Sequence, residues 1–202
     1  ITSFCFYFIF LYKHSLCLLL KFNTKVVYIS QDTVKMINTI FSINIYKEKL
    51  AIKNKPLIDY VLNLQKQTGG RKISNPTGWQ SLNFDLSQDI FLNLNEEIHK
   101  HFLSYIKNIP LNNKFKISSM WANVNEYKDY NLIHTHGDSV ISGVYYLKNP
   151  KNSGNLFFAN PASEGIEYLW ENCIEEYTQQ NSACWTIAVE EGDLVLFPSW
   201  LK

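Results

Sequence analysis

The amino-acid sequence predicts a mainly β, α+β domain, with helices in its N-terminal half and a β-sandwich or barrel after them. Three observations lead there. From Phe115 onward, short β-branched and aromatic runs alternate with turn signals, Asn149-Pro150 and Ser153-Gly154 among them. Before that point, two segments carry apolar positions at helical spacing. The 202 residues suffice for one domain with a sizeable core, and no internal repeat or low-complexity tract marks a second.

Residues 1–20 are apolar, but Lys13 and His14 interrupt them, no basic n-region precedes the run, and the first Met is Met36. Residues 1–35 are therefore expected to be non-native or disordered upstream sequence, and the domain to occupy 36–202. Thr39-Ile40-Phe41-Ser42-Ile43 reads as a short strand. A helix is predicted over 56–67: Pro56 fits its first turn, Leu57, Ile58, Val61, Leu62 and Leu64 supply apolar positions, and Gly69-Gly70 ends it. Residues 71–86, with Pro76, Gly78, Trp79, Gln80 and Ser81, read as loop and then strand. A second helix is expected over 88–107 from the stripe Leu92, Ile98, Phe102, Leu103 and Ile106, with Pro110 as its stop. His99 and His101 fall on this helix two apart, so they do not share a face and read as surface residues.

The later half gives strands at 116–124, 132–136, 140–147, 155–159, 185–189 and 194–197. Residues 163–183 read as a polar insert with a short helix around 166–177, and Glu190-Glu191-Gly192-Asp193 as a tight turn. Net charge is +1 with no basic block, which argues against a nucleic-acid partner. The four cysteines, Cys5, Cys17, Cys173 and Cys184, form no C-x-x-C, so a reducing interior is expected rather than a disulfide scaffold or zinc-cysteine site.

The chemistry-bearing stretch is 121–147. His134, His136 and Asp138 stand at i, i+2, i+4, a spacing that puts all three on one face of an extended strand. Two His and a carboxylate can converge on one ion and leave positions open for oxygen and substrate. The same pair also reads as structural or surface histidines, or as an acid–base pair without metal.

Trp121-x-Asn123, His134-x-His136, Ser142-Gly143-Val144-Tyr145-Tyr146-Leu147, Ser153-Gly154 and Glu191-Gly192-Asp193-Leu194-Val195-Leu196-Phe197-Pro198-Ser199-Trp200-Leu201 form an ordered set. With Gly78-Trp79-Gln80-Ser81 before the second helix, this set resembles the 2-oxoglutarate and Fe(II)-dependent oxygenases related to prolyl hydroxylases, in a subgroup of marine bacteria and their phages. The resemblance spans 37–202. It implies a double-stranded β-helix (jelly roll) around iron, with supporting N-terminal helices, in a cytoplasmic protein.

It further implies Fe(II) as cofactor, 2-oxoglutarate as cosubstrate, O2 and a small molecule or peptide as partners, and hydroxylation with release of succinate and CO2. Its metal ligands map to His134 and His136, with either His136 in place of the carboxylate or Asp138 supplying an oxygen. Tyr146 matches a tyrosine that can bond the cosubstrate carboxylate, and Asn123 is placed to face the pocket. The family pattern continues to a distal His and a later Arg, whereas this chain ends at Lys202, so the domain is expected to be C-terminally incomplete. A non-catalytic jelly-roll binding or structural domain and a cupin-like metal enzyme remain the alternatives.

Overall fold

A computed structural model describes residues 39–109, 111, 115–137 and 139–202. The upstream segment 1–35, Met36, Pro110 and Asp138 lie outside these residues. All the elements below belong to one unit, Phe41–Lys202.

The fold is organised on β7 (Asp193–Pro198), whose six residues are all buried. Its apolar run Leu194-Val195-Leu196-Phe197 suits a central strand covered on both faces. β1 (Tyr46–Lys49) pairs antiparallel along one edge, Tyr46 opposite Leu196. β4 (Ile141–Tyr145) pairs antiparallel along the other, Ser142 opposite Phe197 and Tyr145 opposite Leu194.

Alternation along β7 sends its side chains into two cores. Leu194 and Leu196 join Leu50, which precedes the helices, and Leu57, Phe91, Leu94, Tyr105 and Ile106 on the buried faces of α1 (Asn54–Gln67) and α2 (Asp89–Ile106). Val195 and Phe197 join Phe158, Val189 and Leu201 on the opposite face. Gly143 on β4 permits this packing: a Cβ there would stand 2.7 Å from Leu196 Cδ2 and 3.2 Å from the Val195 carbonyl oxygen. Gly192, at φ +85, makes the turn into β7 that only glycine enters freely.

Two further pairs stand apart in hydrogen bonding. β2 (Trp79–Gln80) pairs with β3 (Asn123–Val124), and β5 (Leu156–Ala159) pairs with β6 (Cys184–Ile187). A short turn of α-helix, Ser163–Gly165, a π-helical turn, Ile166–Trp170, and a 3-10 turn, Glu171–Cys173, fill the connection between β5 and β6.

This architecture corrects the expected jelly roll. The strands of the described residues form one three-stranded and two two-stranded sheets, and none closes into a barrel. The arrangement is mixed α/β with several small sheets, so the cupin-like alternative loses its scaffold as well. The reason lies in pairing: apolar alternation marks which segments are extended, not which backbone groups they bond. Within the predicted 116–124 strand only Asn123–Val124 is laddered, and 132–136 belongs to no sheet. The first strand is not at 39–43 but at Tyr46–Lys49, hidden in a charged segment because three of its four residues are exposed. The two helices fall where helical spacing puts them.

Candidate site around the His134–His136 pair

The segment carrying His134 and His136 is held against the end of β7. The His136 backbone N–H donates to the Ser199 carbonyl (2.9 Å), and Ser199 N–H donates to the Val140 carbonyl (3.0 Å). A turn follows the second imidazole, with Ser139 N–H donating back to the His136 carbonyl at 3.2 Å. The i, i+2 spacing does what it predicts: the two rings meet at 4.8 Å between centroids, near perpendicular, with Nε2 facing Nε2 at 3.0 Å.

The protons of this pair follow from its neighbours. His134 Nδ1 lies 2.7 Å from the Leu132 carbonyl oxygen, which can only accept, so Nδ1 carries the hydrogen. Neutral His134 then presents a bare Nε2. Two bare nitrogens would repel at 3.0 Å, so the hydrogen between the rings sits on His136 Nε2. His136 Nδ1 is therefore the acceptor, and it lies 2.6 Å from Ser142 Oγ. The Ser142 oxygen in turn lies 2.7 Å from Ser199 Oγ, on a fully buried residue. Protons thus point one way along Ser199, Ser142, His136, His134 and the Leu132 carbonyl. Burial, and next the adjacent His134, hold the His136 pKa below the usual histidine value.

Of the other residues singled out in the sequence, Trp121 packs edge-on to His136 at 5.8 Å. Tyr146 packs against the core of Phe158 and Val195, and burial, then Asp193, push its hydroxyl up to about 12. Asn123 is exposed on β3, opposite Gln80. Asp138 lies outside the described residues. His101, read as a surface residue, is instead half-buried, with Nδ1 2.7 Å from the Tyr46 hydroxyl oxygen. Ser142 and Ser199 stand in the motif set without a role there: a serine 57 positions away carries no periodic signal, and only the pairing of β4 with β7 brings the two together.

Residues 119–202 match the family model described as "Putative 2OG-Fe(II) oxygenase". This oxygenase-like portion holds both histidines, Ser142, Ser199 and Tyr146. No curated protein matches the chain.

The expected iron centre needs correcting on the donor set. Among the described residues, no group of three or more His, Cys, Asp or Glu side chains is placed to hold a metal ion. Two imidazoles converge, with Nε2 facing Nε2 at 3.0 Å. The described donors therefore do not by themselves fit the two-His, one-carboxylate set. Among the same residues, no helix is long and apolar enough to cross a membrane.

Proposed function

We propose that this chain is an oxygenase-like domain acting as a binding or structural module rather than as a catalyst. One observation carries this reading. The Nε2 atoms of His134 and His136 face each other at 3.0 Å, and among the described residues the partners that complete the arrangement are the Leu132 carbonyl and Ser142. The exposed free thiols of Cys173 and Cys184 agree with a reducing, cytoplasmic setting.

A second reading, a 2-oxoglutarate-dependent Fe(II) dioxygenase with an unknown substrate, has two supports. One is the family match over 119–202. The other is that 3.0 Å is also close to the separation of two neighbouring nitrogen ligands with bonds of about 2.1 Å. In that reading His134 and His136 are ligands, Asp138 is the third candidate, and Tyr146 and Asn123 are candidates for the cosubstrate; the iron would supply oxidative chemistry that the side chains lack.

Anaerobic titration of Fe(II) and 2-oxoglutarate into the full chain separates the two. The proposed reading predicts no charge-transfer absorption band. A saturable band lost in His134→Ala would overturn it and restore the dioxygenase.

A further inference from the structure

Between Lys151 and Lys202 the chain carries eight Asp and Glu residues and no Lys or Arg. Two of the eight are answered from β1, Glu190 by Lys49 and Asp193 by Lys47. Five others, Glu164, Glu167, Glu171, Glu175 and Glu176, sit on the connection between β5 and β6. All five are exposed, and none has an ion-pair partner among the described residues. The same connection is rich in apolar side chains. Ile166 anchors it at 7% exposure, whereas Tyr168, Leu169, Trp170 and Tyr177 are each at least half exposed. Apolar side chains gathered on a solvent-facing segment mark a surface that a partner covers.

Trp170 belongs to a groove rather than to a flat patch. With Cys173, Ile174, Glu175, Glu176 and Asn181 it lines a recess of about 490 Å³, open to solvent. The recess is held in shape from below. Asn181 Oδ1 accepts the Thr178 N–H at 2.6 Å, and Asn181 Nδ2 donates to the Glu176 carbonyl at 2.9 Å. The nearly buried Ser182 donates from Oγ to the Thr178 carbonyl at 2.6 Å. Its own carbonyl accepts Asn160 Nδ2 at 2.8 Å, which ties the segment to the end of β5. None of the lining residues belongs to the hydrogen-bonded chain around His134 and His136.

The chemistry of the groove selects its occupant. Five unpaired carboxylates repel nucleic acid and anionic membrane surfaces. A lysine side chain suits both parts of the lining. Its methylene stem can lie on an indole ring and an isoleucine, and its ammonium is attracted by carboxylates and by the negative face of the ring. We propose that this groove docks a basic, lysine-bearing segment of a partner protein, with a lysine stem along Trp170 and Ile174 and its ammonium at Glu175 and Glu176. Tyr168, Leu169 and Tyr177 supply apolar surface for the residues that flank the lysine. Such docking gives the binding module its ligand and rests on that reading; it needs neither iron nor turnover.

The test uses capped peptides on the full chain: one alternating alanine and lysine, the same peptide with every lysine acetylated, and its glutamate counterpart. The readout is the shift of the Cys173 and Ile174 backbone amides in nitrogen-15 NMR spectra. The lysine peptide is expected to move both signals saturably, and less so as salt is raised. The acetylated peptide is expected to bind at least about tenfold more weakly, and the glutamate peptide not at all. Glu175→Gln with Glu176→Gln is expected to weaken the lysine peptide by about fivefold or more, the scale of two exposed ion pairs. Trp170→Leu is expected to weaken it by about threefold or more, the loss of an exposed cation–aromatic contact. Glu191→Gln, an exposed carboxylate on the turn before β7, is the control and is expected to leave the affinity unchanged. All these side chains are exposed, so thermal melts of the variants are expected to match the native chain.

No shift with the lysine peptide, equal binding of its acetylated form, or a loss in Glu191→Gln as large as that in the groove variants would overturn the proposal. So would shifts of the same amides on diluting the protein alone, which would make a second copy the occupant. The iron titration separates this site from the reading it rests on. A charge-transfer band with lysine-peptide binding intact would sink only the non-catalytic reading, and no band with no peptide binding would sink only the groove.

Discussion

Lys47 Nζ lies 2.9 Å from Asp193 Oδ2, tying the edge strand β1 to the first residue of the central strand β7. Asp193 is nearly buried, and the same oxygen accepts the Glu190 backbone N–H at 2.7 Å across the Gly192 turn. Burial works to raise the Asp193 pKa, but the Lys47 hydrogen bond, the Glu190 amide and the two lysine charges together bring it below the usual carboxylate value. Asp193→Asn is expected to cost about 2 kcal/mol, in the range of hydrogen bonds to charged groups. Asparagine keeps an oxygen that can accept the Glu190 N–H, so the loss is that of the negative charge on this bond; the Lys47 share is small, because its side chain is partly exposed and solvent screens it. Urea denaturation at pH 7 measures it.

The same residue sets an acid limit. Its folded pKa lies below its unfolded one, so the unfolded chain takes up the proton first as pH falls. The stabilisation is complete above about pH 5 and drains away as pH drops through about 4 and below. Comparing urea midpoints of the native chain and Asp193→Asn at pH 7 and pH 3.5 checks the sign: the gap between them narrows in acid. A gap that widens would show the shift to be of the opposite direction.

Gly143→Ala places a methyl against the Val195 carbonyl and the Leu196 side chain between β4 and β7. The Leu196 tip can turn, but its core is full and the carbonyl belongs to a paired strand. A loss of about 1–3 kcal/mol is expected from such overpacking. A melting temperature equal to that of the native chain would show the gap between β4 and β7 to be compliant.

Leu194→Ala opens a hole where β7 meets both helices. Leu194 is 1% exposed and packs in the cluster with Leu57, Phe91 and Ile106. The expected loss is about 2–5 kcal/mol. Leu62→Ala, on the exposed side of α1, is expected to change stability by less than about 0.5 kcal/mol. Thermal melts of the pair test whether the sheet face and the helices share one core.

Some of this structure is plain in the sequence. Leu194-Val195-Leu196-Phe197 reads as a strand, and α1 and α2 lie where helical spacing puts them, but the stripe expected on α2 misses its inner side: Phe91, Leu94 and Tyr105 are buried with Ile106, whereas Leu92 and Leu103 are exposed. The convergence of His134 and His136 agrees with their spacing of two. What is not plain depends on partners distant in sequence. The exposed charged residues of Tyr46–Lys49 give no apolar alternation, so that edge strand shows only once Tyr46 lies opposite Leu196. Closure into a barrel depends on backbone pairing between β5–β6 and the β7 sheet, which side-chain pattern does not encode and which the described strands do not make. Arg71 likewise reads as loop until its bridge to Gln80 sets it over Trp121.

The tautomers of His134 and His136 decide between a proton-bridged pair and a ligand pair, and nitrogen-15 NMR of the ring nitrogens near pH 7.5 measures them directly. Long-range couplings distinguish a protonated ring nitrogen from a bare one. The prediction is a hydrogen on Nδ1 of His134 and on Nε2 of His136, with Ser142→Ala altering only the His136 pattern. Hydrogens on Nδ1 of both rings would contradict it: both Nε2 atoms would then be bare and facing, a pair prepared for a cation rather than joined by a proton.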